Sequence, residues 1–241
     1  MSAGGMNDKT GFPVFFTEVS NNLGRYQDYS FASEKFANLF PPSEYSSVLD
    51  ICCGIGKMSH ALFLQGYKVT AIDLSSEQIE IAKKDAAGPD YYQADMKDIP
   101  GKNYDLLINV YTSFGYYTTE AQDLSLFRYW YGLLRPGGVL VMELADMERA
   151  RNRINAEGVL VREDNGVTEY LYMDWDKRLL RVDYHTESQH WSCLTRLYEK
   201  EMLRDELLNA GFESVSLYGD FSLKKKEKDD NLVIIARKGL K

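Results

Sequence analysis

A chain of 241 residues with 44% hydrophobic content holds enough apolar material for one generous α/β domain, or one domain with an added lobe. Acidic residues outnumber basic ones 36 to 28, a net charge of −8, which argues against a general nucleic-acid binder because phosphate backbones need clustered Lys and Arg. Three cysteines make no disulfide framework, no apolar run approaches the ~20 residues of a membrane span, and MSAGGMNDKT has no apolar signal segment, so the expected setting is the reducing cytoplasm.

Residues 1–42 read as an N-terminal helical extension, aromatic-rich over 17–40 and ended by Pro41-Pro42. Strands and helices then alternate. Ser47–Ile51 is a short apolar strand, Lys57–Gln65 a helix stopped by Gly66, and Lys68–Ile72 a second strand. Ser75 opens another helix, with Gln78 at capping-box spacing. Tyr91–Gln93 and Tyr104–Val110 are strands three and four. Ala121–Leu134 is a helix closed by Arg135-Pro136-Gly137-Gly138, and Val139–Glu143 is strand five. Strands separated by helices imply an α/β fold, a doubly wound and mostly parallel sheet covered on both faces.

After residue 155 the rhythm changes. VLVRED, Asn165-Gly166, VTEYLYMDW, Asp176-Lys177 and RLLRVDYH read as an antiparallel β-meander inserted over 157–191, because Asn-Gly is a strong hairpin signal. Lys200–Ala210 is a helix ended by Gly211, and Val215–Tyr218 and Leu232–Ala236 are closing strands. The core therefore comprises 43–156 and 192–241. The basic run Lys224-Lys225-Lys226 is followed by Glu227, Asp229 and Asp230 and reads as a solvated loop.

Ligands of open parallel sheets bind beyond the carboxyl ends of the strands. Asp50, Asp73 and Asp95 fall at three such ends, with Gly54 and Gly56 in the turn after the first strand. A dinucleotide would place pyrophosphate on that turn and favour G-x-G-x-x-G. Here Ser59 takes the third position and Asp50, four residues before the first glycine, repels an anion. Asp73, 19 residues past Gly54, is placed for ribose hydroxyls in either case. The set favours a nucleoside bearing positive charge. The adjacent Cys52 and Cys53 are poorly placed for a mutual disulfide or for a spaced metal site, and read as small fillers.

VLDICCGIGK, AIDLS, ADM and LRPGGVL together resemble the motif series of class I S-adenosylmethionine-dependent methyltransferases of small-molecule type, over roughly Ser47–Leu144. That resemblance implies a Rossmann-like seven-stranded sheet and S-adenosyl-L-methionine as cofactor. It implies that Gly54 and Gly56, with Cys52, line the methionine part, Asp50 supports its amino group, Asp73 holds the ribose and Leu74 flanks the adenine. Asp95 and the amide of Met96 would read the adenine, while Asn109 and Tyr111 would face the methyl donor. Arg25–Tyr29 resembles the lid that closes over the cofactor, with Tyr26 its central residue. The meander resembles the added sheet of small single-domain enzymes, including amino-sugar N-methyltransferases, where it covers the pocket or joins subunits in a homodimer.

The acceptor should lie by Tyr111–Tyr117, whose rings would shape a pocket or pack the core. No clear catalytic base is legible. Tyr117, His185 and His190 are the candidates. The two histidines, five residues apart, would lie on opposite faces of one regular strand; His60 is a structural or exposed helix residue. No spacing suggests a metal, and no membrane or nucleic-acid partner is expected. The leading expectation is methyl transfer to a small molecule, at nitrogen more than oxygen. The alternatives are a peptide or RNA methyltransferase, a non-catalytic cofactor-binding regulator, and a nicotinamide dehydrogenase, which Asp50 and Ser59 disfavour.

Overall fold

The computed structural model describes residue 23, residues 30–188 and residues 190–241. Its first described helix, α1 (Ser30–Leu39), precedes the alternating strands and helices β1 (Ser47–Ile51), α2 (Lys57–Leu64), β2 (Lys68–Asp73), α3 (Ser76–Asp85), β3 (Asp90–Gln93), β4 (Tyr104–Asn109), α4 (Glu120–Leu133), β5 (Leu134–Leu144) and α5 (Met147–Arg153). Four strands follow: β6 (Val159–Asp164), β7 (Val167–Asp174), β8 (Leu179–His185) and β9 (His190–Arg196). Helix α6 (Lys200–Ala210) then leads to β10 (Ser214–Tyr218) and β11 (Leu232–Arg237).

Seven strands form one sheet in the order β10-β11-β5-β4-β1-β2-β3. The five strands from β1 to β5 run parallel, and β11 pairs antiparallel with both β5 and β10. The sheet is apolar on both faces, as doubly wound sheets require. Alternate residues of each strand go to opposite layers. Leu49, Ile51, Leu107, Leu140 and Met142 pack with Phe127, Trp130 and Leu203 from α4 and α6. Val48, Leu106, Ile108, Val139 and Val141 pack with Phe36, Met58, Leu62 and Ile79 from α1, α2 and α3.

Local chemistry sets the boundaries. The Ser75 side chain caps α3 by accepting from the Gln78 amide, as the spacing predicts. Thr119 and Gln122 form a reciprocal capping box at α4. Asn165 and Gly166 both have positive φ, 50° and 79°, the backbone of a tight hairpin between β6 and β7.

The structure corrects four expectations. Arg135–Gly138 does not close a helix by a loop, because β5 already starts at Leu134 and absorbs these residues through a register shift against β4. Helix α5 is absent from the sequence reading, since seven residues with only Met147 and Ala150 apolar carry little apolar period; Asp146 caps it by accepting from the Arg149 amide. The meander has four strands and runs to Arg196. Lys226 is not a solvated loop residue: its side chain is buried beside the buried Asp146, at 3.3 Å, an ion pair that no local pattern announces.

The antiparallel sheet is fastened to the core through Asp123. This fully buried carboxylate accepts from Arg196 at 2.5 Å, Tyr198 at 2.8 Å and the Tyr117 amide at 3.0 Å. Arg196 also donates to the carbonyls of Tyr117 and Thr118. Removing one partner strands a buried charge, which costs far more than the intact pair contributes. Asp123→Ala is therefore expected to lower unfolding stability by about 3–5 kcal/mol in urea denaturation, an effect much larger than that of Asp205→Ala, whose carboxylate is exposed and bonded to its neighbour Arg204.

Candidate functional site

The turn after β1 builds the floor of the site. Cys52, Gly54 and Gly56 all have left-handed φ, at 64°, 56° and 76°. A side chain at Gly56 would also meet Tyr91, 2.5 Å from its hydroxyl, so only glycine fits there. Asp73 at the end of β2 holds this turn. One carboxylate oxygen accepts from the Gly54 amide at 2.9 Å and the other from the Ser75 amide at 3.0 Å. Burial raises its pKa, and these amide bonds oppose the rise.

Asp50 lies beneath the turn, 1% exposed. It accepts from the Ser59 hydroxyl at 2.5 Å. Desolvation, only partly offset by that bond and reinforced by Asp73, pushes its pKa up to about 7. Ser59, which replaces the third glycine of a dinucleotide fingerprint, is thus the hydroxyl that solvates this acid. Cys52 and Cys53 are free thiols, and burial among Asp50 and Asp73 holds both well above the usual thiol range. They remain neutral and serve as compact filling, not as nucleophiles.

A cavity of about 390 Å³ opens above the turn, within the range of small-molecule sites. Its lower wall is Asp50, Cys52, Cys53, Gly54 and Gln78; its upper wall is the inner face of the antiparallel sheet, with Leu171, Leu180, Val182, Tyr184, Cys193 and Thr195. Leu23, fully buried, packs against Leu171, Val182, Tyr184 and Cys193. The insertion is therefore a wall of the cavity.

The proposed cofactor residues divide. Asp50, Cys52, Gly54 and Tyr111 line the cavity. Gly56, Asp73, Leu74, Asp95, Met96 and Asn109 stand around the same sheet edge without lining it. Leu74 is 64% exposed. Asp95 accepts from the Tyr117 hydroxyl and from the Lys97 amide at 3.2 Å. The Met96 carbonyl accepts from the Trp130 indole at 2.9 Å. Asn109, buried, donates to the carbonyls of Ile51 and Ser113 at 3.1 and 3.0 Å, while among the described residues its Oδ1 has no hydrogen-bond partner. Tyr26 lies outside the described residues, as does the whole Arg25–Tyr29 segment of the expected lid.

The aromatic segment after β4 also divides. Tyr111 and Tyr116 face the cavity. Phe114 stacks on Phe127 at 5.0 Å, and Tyr117 is in the same core layer. Burial and the neighbouring Asp95 raise the Tyr117 pKa, so its phenol stays protonated. His185 and His190 do not sit on opposite faces of one strand. They are cross-strand partners on β8 and β9, with rings 5.9 Å apart, exposed and away from the cavity wall; the hairpin between them was not legible in the alternation. The His60 ring bonds the Ala87 carbonyl at 2.9 Å, a structural placement.

Sequence reasoning missed Arg149 on α5, Arg162 on β6, Asn231 and most of the upper wall, all of which line the cavity. The alternation of YLYMDW marked a covered face, but not what it covers. Glu143 at the end of β5 was missed as well; it accepts from the Tyr111 amide at 2.9 Å and from the Asn231 side chain.

A glycine turn after β1, acids after β1, β2 and β3, and a parallel sheet completed by β11 and β10 define the class I S-adenosylmethionine-dependent methyltransferase fold. Residues 48–138 match the family model of a methyltransferase domain, and the fold is that of S-adenosylmethionine-dependent methyltransferase structures. It is 28% identical over 124 residues to a dTDP-3-amino-3,4,6-trideoxy-alpha-D-glucopyranose N,N-dimethyltransferase of Streptomyces venezuelae, covering 50% of this chain and 52% of the relative. It is 33% identical over 138 residues to a malonyl-(acyl-carrier protein) O-methyltransferase of Enterobacter lignolyticus, covering 53% of each. The chain thus spans about half the length of these curated relatives. The CcbJ methyltransferase structure from Streptomyces caelestis superposes with a TM-score of 0.77 at 17% identity, covering 95% of this chain and 96% of that one.

The site's residues fit the cofactor of this class: a buried carboxylate at the cavity floor for a cationic group, a turn open to close approach, and an orphan amide oxygen. Three outcomes are expected. Asp50 holds a proton in the ligand-free fold between its unfolded value, about 3.9, and about 7. Its contribution to stability is therefore lost as pH rises through that window. Asp50→Asn should stabilise the ligand-free protein at pH 8, by up to about 4 kcal/mol, in thermal unfolding. The same substitution should weaken S-adenosylhomocysteine binding and flatten its pH dependence; wild-type affinity should drop as pH falls below about 7, because a protonated carboxyl no longer attracts an ammonium. Separately, Asp73→Ala should cost about 1–3 kcal/mol of cofactor affinity in calorimetry, since it frees the turn that its carboxylate holds.

Proposed function

We propose that this chain is an S-adenosylmethionine-dependent enzyme that methylates a small molecule, at nitrogen more than at oxygen. The observation that carries this reading is the single cavity running from the glycine turn to the inner face of the antiparallel sheet. One end suits the sulfonium donor, and the other is closed by a wall of mostly apolar side chains.

The bound cofactor supplies an electrophilic methyl group on a positively charged sulfur. The chain's own contribution is position and dryness. The left-handed turn at Cys52–Gly56 lets the donor approach the backbone, Asp50 anchors the cation, and the upper wall excludes water around the acceptor. An amine that arrives neutral needs no base for in-line attack, whereas a hydroxyl usually does. Among the described residues, Leu171, Leu180, Val182, Tyr184, Cys193 and Thr195 of the upper wall include neither histidine nor carboxylate, which favours nitrogen. The tyrosine rings of Tyr111, Tyr116 and Tyr184 are suited to the cation that forms as nitrogen is alkylated. The amino-sugar N,N-dimethyltransferase relative agrees with this choice.

The test is paired. Calorimetry should register S-adenosylhomocysteine and no NAD. Radiolabelled methyl transfer across a set of small amines and matched alcohols should give turnover with an amine, with a rate that climbs with pH as the amine loses its proton. Turnover confined to alcohols would overturn the nitrogen assignment; S-adenosylhomocysteine binding with no turnover on any acceptor would favour a regulatory protein.

A further inference from the structure

The cavity wall carries two cations that the proposed methyl-donor contacts leave unassigned. Arg149 from α5 and Arg162 from β6 both line it, together with Asn231. Each guanidinium is fixed through Nε: Arg149 to the Asp229 carbonyl at 3.1 Å, and Arg162 to the fully buried Glu169. Among the described residues, the terminal nitrogens of both make no hydrogen bond. The nearby acids are otherwise committed. Glu143 is held by the Tyr111 amide and Asn231, and Asp146 by Lys226 and the Arg149 amide. Arg149 is half-buried, and its pKa is lowered by desolvation first and by Arg153 and Arg162 second, with Glu143 and Asp146 opposing; the charge of Arg162 is balanced in part by Glu169.

Two like charges directed at one partly desolvated volume are unfavourable unless an opposite charge occupies it. A planar guanidinium presents paired donors whose spacing matches the two oxygens of a carboxylate or phosphate. We infer that the methyl acceptor carries an anionic group, a carboxylate or a phosphate, bound by Arg149 and Arg162 at the α5–β6 end of the cavity. This deepens the methyltransferase reading and rests on it. The acceptor is then an elongated molecule: its anion meets the arginines, its middle contacts Leu171, Leu180 and Val182, and its nitrogen reaches the glycine turn.

The experiment uses the whole protein saturated with S-adenosylhomocysteine. Succinate, inorganic pyrophosphate and putrescine are titrated by calorimetry, against potassium chloride at matched ionic strength. Succinate or pyrophosphate is expected to bind, and the stronger of the two tells carboxylate from phosphate. Arg149→Gln and Arg162→Gln should each weaken that anion at least tenfold, with the Lys variants intermediate. S-adenosylhomocysteine affinity should stay within threefold, and Lys225→Gln, an exposed charge outside the cavity, should behave as wild type.

Binding of neither anion above the chloride control overturns the inference without any variant, so a misfolded substitution cannot shield it. Preference for putrescine, or undiminished anion binding in both Gln variants, overturns it too. Loss of S-adenosylhomocysteine affinity in parallel with the anion would reassign the arginines to the cofactor's own carboxylate. Failure of the wild type to bind S-adenosylhomocysteine at all strikes the underlying reading; normal binding of it without anion binding strikes this inference alone.

Discussion

The site depends on the contact between Asp73 and the amide of Gly54. It ties the end of one strand to the turn that leaves its neighbour, and so fixes a backbone that takes left-handed φ at three positions within five residues. Left-handed geometry at Cys52 is unfavourable for a residue with a Cβ, and it persists because the turn is pinned from both sides. Cys53 adds to the pinning by donating its amide to Ile72 at 2.9 Å. Without this clamp neither the close approach to a ligand nor the depth of Asp50 would hold.

Electrostatics in this region follows from burial more than from net charge. Asp50 and Asp73 are both raised by desolvation, and each sits close enough to penalise ionisation of the two cysteines. The fold thus spends stability on acids that water would solvate better, as functional sites commonly do. A cationic ligand relieves that stress. The same cavity also has Arg149 and Arg162 in its wall, so a chain of net charge −8 brings a buried acid and two cations to one volume.

The insertion works only because it is locked down. Its last strand reaches the core through Arg196, whose backbone amide donates to the Gly115 carbonyl at 2.8 Å and whose side chain ends on Asp123. Gly115 has no room for a side chain, since a Cβ would lie 2.2 Å from the Arg196 carbonyl. The loop after β4 is thereby pressed against β9, and the same loop carries Tyr111 and Tyr116 into the cavity. The core and the antiparallel sheet are joined by one network, which ties the upper wall of the cavity to the loop after β4.

Much of this was legible in residues alone. Strand order along the chain, the Asn165-Gly166 hairpin, the Ser75 cap and the acids at strand ends are local signals, governed by backbone sterics and by hydrogen bonds between near neighbours, and so the sequence by itself determined the α/β class, the glycine turn and the acids set around it. Contacts between distant segments leave no such trace. Tyr111 and Phe114 are three residues apart and equally aromatic, yet one faces the cavity and the other the core. Two histidines became partners because a hairpin falls between them, and Lys226 was drawn from an apparently solvated run into a buried ion pair. Arg149 and Arg162 share a cavity only after the second sheet folds over the first. Tertiary structure alone decided the upper wall of the cavity, because burial, and the charge balance that burial makes costly, exist only once the chain has closed on itself.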